Sequence, residues 1–325
     1  MTSRQIIEAV LAADNPPRVG MTLPKPYPHD LFNHGPGFHR RTPVEPRGHE
    51  LRRWVDEWGV TWASLTEFDK GEVVAGAIED WADLDDYCPP DLGREEDYAD
   101  AKAAFAAEPE RFRVGGVPGF VFNIARKLRK LDNYLCDLVL ERDKVDCLNA
   151  IVRTELLKCI DQWGQTDADA IMFCEDWGTQ DRLMIDPAMW REIFRPEFEC
   201  LCARAREYGL KVFMHSCGKI TDIIPDLIEC GVACLQFDQP TLHGIDTLAT
   251  FAGQVTFWCP VDIQKTLQTR DGDKIRAEAR ELIDKLGRGG GFIAGYYGSN
   301  EALGLPPEIQ DIACQAFVEH GGGVA

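Results

Sequence analysis

The residues with the clearest chemical potential are His215 and Cys217, in the stretch KVFMHSCGKI that runs from Lys211 to Ile220. An apolar run ends there on an imidazole and a thiol one residue apart, followed at once by Gly218. In an extended segment alternate side chains face the same way, so these two can converge. Both are ligands that zinc takes readily, and a catalytic zinc keeps three protein ligands and one open position. Cys259, at the end of the run VTFWCPVD two strands further on, supplies a third ligand on this reading. A His-Cys-Cys set suits activation of a thiol, because zinc lowers the pKa of a bound thiol and holds it as thiolate.

Other apolar runs end on groups of the same kind. AIMFCED ends on Cys174, Glu175 and Asp176. The two acids are adjacent and point in different directions, so one faces the site as general base or further ligand while the other caps the helix to which DWGTQ leads. Glu175 and Asp176 are the catalytic candidates. ACLQFDQ ends on Asp238 and Gln239, VTFWCPVD also carries Asp262, and GFIAGYY ends on Tyr296 and Tyr297. Gln239, Tyr296 and Tyr297 are candidates for contact with a cofactor. Trp177, Phe237, Trp258 and the two tyrosines make an aromatic mouth, which fits an aromatic ether or a quaternary amine. These ends carry acids, thiols and rings but no arginine. The expectation is an acidic cleft that repels a poly-acid and suits a neutral or cationic methyl donor.

The elements that must position these groups follow a rhythm from Arg111 onward. Near-continuously apolar strands alternate with helical patterns, among them the helix opened by Asp186 and Pro187 and closed by Gly209. That alternation means βαβ units and a parallel sheet. About eight units over this length predict a closed (β/α)8 TIM barrel, whose active site lies at the carboxyl ends of its strands. No glycine fingerprint of a doubly wound sheet follows the first strand. We therefore expect one domain over residues 1–325. Residues 1–60 form an amino-terminal helix and a lid-like extension, rich in proline and histidine, that makes part of the mouth. LRRWVDEWGVTWASL within it mixes helix and strand signals, and Asp56-Glu57-Trp58-Gly59 reads as a turn.

Composition limits the function classes. The 325 residues are 45% hydrophobic with 10% aromatics, enough for a full core. The formal net charge of −19 argues against holding nucleic acid by phosphate neutralisation. No apolar run is long enough to span a bilayer, and the first residues lack the apolar core of a secretory signal. The 12 cysteines are irregularly spaced, most inside apolar patterns, which points to a reducing cytoplasm.

Four segments taken together, CEDWGTQDRLMIDPAMWREIFRPEF, KVFMHSCGKITDIIPDLIECGV, QFDQP and VDIQKTL, resemble the uroporphyrinogen decarboxylase superfamily. The resemblance is strongest to its zinc- and corrinoid-linked methyltransferase branch and covers most of the chain, from DEWGVTW to the last helix. It implies a (β/α)8 barrel with its cleft at the strand ends. It implies zinc at His215 and Cys217, and methyl transfer between a small donor or thiol acceptor and a corrinoid (cobalamin) on a partner protein. In that branch the third ligand is a cysteine in a glycine-rich stretch after the last strand. Here that stretch reads GFIAGYYGSNEALGLPPE, without cysteine. Cys259 stands in by geometry, with Glu175 and Tyr296 as the remaining choices. The decarboxylase branch holds an octa-acid tetrapyrrole with an Arg-Gln-Ala-Gly-Arg run, where this chain has NPPRVGMTL. A tetrapyrrole decarboxylase is the alternative reading, and a non-catalytic corrinoid- or metal-binding protein the third.

Overall fold

A computed structural model describes residues 1–67 and 69–322. Among the described residues twelve strands fall into two sheets. Eight of them, β1 (Gly20–Met21), β2 (Leu31–His34), β7 (Phe112–Gly116), β8 (Ala170–Cys174), β9 (Lys211–His215), β10 (Val232–Gln236), β11 (Thr256–Cys259) and β12 (Phe292–Ala294), pair in the order β1-β12-β11-β10-β9-β8-β7-β2. Every ladder between them is parallel, and helices cover the outside. This is the TIM barrel expected from the alternation of runs, nearly closed. The seam between β1 and β2 is bridged by Thr22 and His29 rather than by a parallel ladder.

Strand alternation sorts the side chains into two cores. Phe112, Val114, Ala170, Phe213, Cys234 and Ile293 point into the barrel, where Ile6, Ile7 and Val10 of the amino-terminal helix Ser3–Leu11 pack with them. Ile171, Phe173, Val212, Met214, Leu235, Phe257 and Cys259 point outward into the helix layer. Register then defines one inward ring near the carboxyl ends. Cys174 pairs with His215, His215 with Gln236, Gln236 with Trp258, and Trp258 with Ile293.

The remaining four strands, β3 (Arg41–Val44), β4 (Arg52–Asp56), β5 (Thr61–Ser64) and β6 (Glu72–Ala75), form a small antiparallel sheet. The ambiguous segment around Trp54–Trp62 is its central hairpin. Asp56 drives the turn. Its Oδ1 accepts the backbone N–H of Trp58 and Val60, its Oδ2 accepts the Trp62 indole N–H at 2.7 Å, and Gly59 takes φ +79°. The lid-like extension is thus an ordered sheet that continues to Ala75, beyond the boundary at residue 60 drawn from the sequence.

The amino-terminal helix and the β1–β2 seam meet on one carboxylate. Asp30 is fully buried and accepts two bonds from Arg18 at 2.7 Å each, one from Ser3 Oγ at 2.7 Å and one from the Met21 N–H at 2.9 Å. Removing one partner of a buried pair strands the other charge. Asp30→Ala should cost about 3 kcal/mol, read as a lowered urea midpoint at unchanged slope. A midpoint equal to that of the parent chain would contradict this role.

Candidate metal centre

The exits of β8 and β9 are laced together. The Glu175 N–H donates to the His215 carbonyl at 2.9 Å, the Gly178 N–H to the Cys217 carbonyl at 3.3 Å, and the Trp177 N–H to Ser216 Oγ at 3.3 Å. This lacing explains the glycine after His215-Ser216-Cys217. Gly218 has φ +73°, and a Cβ there would lie 2.2 Å from the Gly178 carbonyl oxygen. Only glycine permits that backbone to cross so closely.

The adjacent acids divide the work between them. Glu175 is fully buried, and its carboxylate accepts the N–H of Phe120 at 2.9 Å, Phe122 at 3.0 Å and Asn123 at 3.2 Å. These are the open donors at the start of the helix Val121–Leu128, which has no side-chain cap of its own. Burial pushes the Glu175 pKa up to about 8, while those N–H groups and the Arg126 and Lys127 charges pull it back. Glu175 is therefore a helix anchor. It does not line the cavity around His215, and its candidacy as a general base or ligand is corrected.

Asp176 faces the mouth instead. Its Oδ1 accepts the Cys217 N–H at 2.8 Å and lies 3.6 Å from His215 Nε2, which is 3.3 Å from Cys217 Sγ. The three ligand atoms lie within 4.8 Å of one another, the one such grouping among the described residues. Tetrahedral zinc with bonds of about 2.0–2.3 Å separates its ligands by roughly 3.3–3.8 Å, so the spacings of the His215 nitrogen to the sulfur and to the oxygen fit one ion. Burial, then the Asp176 and Asp238 carboxylates, push the Cys217 thiol up to about 12. Arg126 stands 3.7 Å from the other Asp176 oxygen.

Cys259 is not in this group. The inward residue of β11 at that level is Trp258, so Cys259 points outward, fully buried in the helix layer. The sequence reading placed it at a strand end without counting its parity. Tyr296 and Tyr297 also lie away from the cluster. Tyr296 accepts from Asn300 and lines a separate groove with Tyr27 and Pro307, while Tyr297 borders a cavity on the other side of the small sheet. Gln239 stands at the start of the helix Pro240–His243 and is not on the wall around His215. Phe237 and Trp177 are buried in packing, and Asp262 holds Thr241, Gln264 and Lys265. Sequence reasoning missed Gln236, whose Oε1 meets His215 Nδ1 and whose Nε2 donates to Asp238 Oδ1 at 2.8 Å. The signal was present, since residues 215, 236 and 238 all sit at inward positions.

Asp176, His215, Cys217 and Cys174 open into a cavity of about 970 Å³ roofed by the antiparallel sheet. Its aromatic wall comes from Trp54 and Trp62, near-parallel at 3° and 6.2 Å apart, with Arg41 over Trp54 and Lys127 against Trp62. The cleft is not the acidic one expected. Arg41, Arg52, Lys70, Arg126, Lys127 and Lys130 line it beside Glu67, Asp69, Glu72, Asp132 and Asp176. The cations come from the sheet and from the helices after β7, regions the strand-end inventory did not include.

The family model described as uroporphyrinogen decarboxylase matches residues 66–320, most of the chain. The chain belongs to that family. Among solved structures it is similar to a methyltransferase from Methanosarcina mazei, with 18% identity and a TM-score of 0.54 over 67% of this chain and 62% of that one. The match thus spans less than two thirds of that protein. It is also similar to a family 10 endo-β-1,4-xylanase from Gloeophyllum trabeum, with 12% identity and a TM-score of 0.41 over 67% of this chain and 79% of that one. No curated protein sequence matches. Among the described residues no helix is long and apolar enough to cross a membrane.

Glu175 gives the anchor a direct test. Both its oxygens accept from backbone N–H groups, so Glu175→Gln sets an amide donor against a donor. We expect a loss of about 1–3 kcal/mol in denaturant titration. Stability equal to the parent would show that the helix start does not need both acceptors.

Proposed function

We propose that this member of the uroporphyrinogen decarboxylase family is a zinc-dependent methyltransferase. It moves a methyl group between a small donor or thiol acceptor and a corrinoid carried on a partner protein in the cytoplasm. The observation that carries the reading is the meeting of Asp176 Oδ1, His215 Nε2 and Cys217 Sγ at the barrel mouth. Zinc bound there supplies Lewis acidity toward a thiol sulfur or a donor heteroatom. The chain supplies the rest. Cys217 and Asp176 offer two anionic ligands, and His215 offers a neutral one. The lacing of residues 175–178 to 215–218 holds the three at fixed spacing. Asp176 is steadied by the Cys217 N–H on one oxygen and by Arg126 near the other. The sheet with Trp54 and Trp62 shields the methyl-carrying ligand from bulk water, and the face left open is where the corrinoid protein would dock.

A specific observation favours the decarboxylase as second reading, since Arg41, Arg52 and Arg126 reach the same cavity. Two of them are committed. Arg52 Nη2 donates to Ser64 Oγ and to the Thr66 and Glu67 carbonyls, and Arg126 donates to Asn123 Oδ1. An octa-acid needs several free guanidinium groups, which weighs toward methyl transfer.

Metal analysis of protein purified without chelator should give one zinc per chain. Asp176→Ala and Cys217→Ser should each lose most of it while keeping the fold, and Cys259→Ala should keep it. Equal zinc in the Cys217→Ser variant would refute the site. In the activity assay the protein is mixed with zinc, methylcobalamin and thiols, or with methyl donors and reduced cobalamin. The corrin absorption should change in one direction. A silent spectrum together with enzymatic release of carbon dioxide from uroporphyrinogen would establish the decarboxylase instead.

A further inference from the structure

We infer that Gln236 is a positioning residue, set by Asp238, that holds the His215 ring with its proton on Nδ1 and its Nε2 lone pair bare. The value of this arrangement rests on the metal reading above, but the arrangement itself is a property of the chain alone. Asp238 is a carboxylate and, when ionised, can only accept. Its Oδ1 lies 2.8 Å from the Gln236 side-chain amide, so the atom of Gln236 facing it must be the NH₂ group. The amide cannot turn over without setting oxygen against oxygen. Its Oε1 must therefore face His215 Nδ1, with which it is in hydrogen-bond contact. An amide oxygen is an acceptor only, so Nδ1 must carry a hydrogen. In the neutral ring the other nitrogen is then unprotonated.

That other nitrogen is the one aimed at the cluster, 3.3 Å from Cys217 Sγ and 3.6 Å from Asp176 Oδ1. Free imidazole side chains in water favour the opposite tautomer, with hydrogen on Nε2. Left alone, His215 would turn an N–H toward Cys217 and Asp176 and close the position to a cation. The protein reverses this preference with two side chains from β10 and its exit. Topology explains why they can do so. Gln236 is directly in register with His215 across the β9–β10 ladder and points to the same side of the sheet, and Asp238 follows at the next inward position. A metal-bound histidine commonly donates its second N–H to an oxygen, and loss of that partner costs about 10- to 100-fold in metal affinity.

The test uses the full chain and two readouts. Nitrogen-15 histidine labelling of the metal-free protein reports which ring nitrogen of His215 carries the proton, with a His215→Gln sample to assign its signals. Zinc competition with a chromophoric chelator reports affinity. The parent chain should show Nδ1–H. Gln236→Leu keeps the volume but removes the acceptor. It should move the proton to Nε2 in a substantial fraction of molecules and weaken zinc about 10- to 100-fold. Asp238→Ala frees the amide to turn and should fall between. The double variant Gln236→Glu with Asp238→Asn restores an acceptor facing Nδ1 and a donor facing the acceptor. It should recover the parent tautomer and bring affinity back toward the parent value, which loss of packing alone would not allow. A parent chain with hydrogen on Nε2, or a Gln236→Leu variant that keeps the parent tautomer, would overturn the assignment. A parent chain that shows Nδ1–H but binds no zinc would support the positioning role and sink the metal reading, so the two can fail separately.

Discussion

The mouth of this barrel depends on one buried carboxylate. Glu175 sits at the exit of β8 with both oxygens bonded to the first N–H groups of the helix Val121–Leu128. A carboxyl group buried this deeply is tolerated only where hydrogen-bond partners surround it. Here the donors belong to a helix that would otherwise start uncapped, so each side satisfies what the other leaves open. The consequence is directional. With Glu175 pinned toward that helix, the next side chain, Asp176, is turned toward the cavity. The Glu175 N–H extends the β8–β9 ladder by one bond and fixes the height of His215 relative to Asp176. The same helix carries Asn123, Arg126 and Lys127 into the cavity wall. One ionisable group thus sets the direction of Asp176, the register of the imidazole and the placement of Arg126 and Lys127.

Much of the fold was legible because the parallel strands are buried on both faces. Runs such as AIMFC, KVFMH and VACLQ are apolar almost throughout, which only a covered sheet requires. His215 and Cys217 were legible for a local reason, alternation within one extended exit. Cys259 shows the limit of that reasoning. A two-faced apolar strand hides its own parity, since both faces demand apolar residues. Nothing in VTFWC says whether Trp258 or Cys259 looks inward. Only the ladder from Gln236 through Trp258 to Ile293 fixes it. For the Glu175-Asp176 pair, sequence could say that the two acids diverge, but not which way. That choice is made by a helix start more than fifty positions earlier in the chain.

The antiparallel sheet was the least legible part, and it changes the electrostatics of the mouth. Its hairpin signal is broken by Asp56, Glu57 and the two tryptophans at 54 and 62, which read equally as one face of a helix. What decides for strand is the Asp56 carboxylate, which closes the turn with two backbone bonds and ties Trp62 to it. Without that sheet nothing in the sequence brings Arg41, Arg52 and Lys70 to the cleft, and its charge then follows the acidity of the whole chain. Net charge is a property of the whole surface, whereas a cleft is set by the few side chains that reach it.

These pieces also explain why the candidate centre is built from only one sector of the mouth. Asp176 comes from the exit of β8, His215 and Cys217 from β9, and the Gln236–Asp238 support from β10. Three neighbouring strands, joined by parallel ladders that bring Cys174, His215 and Gln236 level with one another, hold the cluster from below. The residues that face it from above belong to the small sheet and to the helices after β7, which no ladder joins to β9. The small sheet governs access, whereas the helix Val121–Leu128 serves both access and spacing, through Glu175 and through Arg126 beside Asp176. A change in the sheet, at Trp54, alters what can enter the cavity while leaving the bonds that hold Asp176, His215 and Cys217 in place. Rigidity is concentrated where a metal would need it. Variation in substrate can be accommodated in the sheet and helix ends, the same division that lets the barrel fold host many chemistries on loops above a constant core.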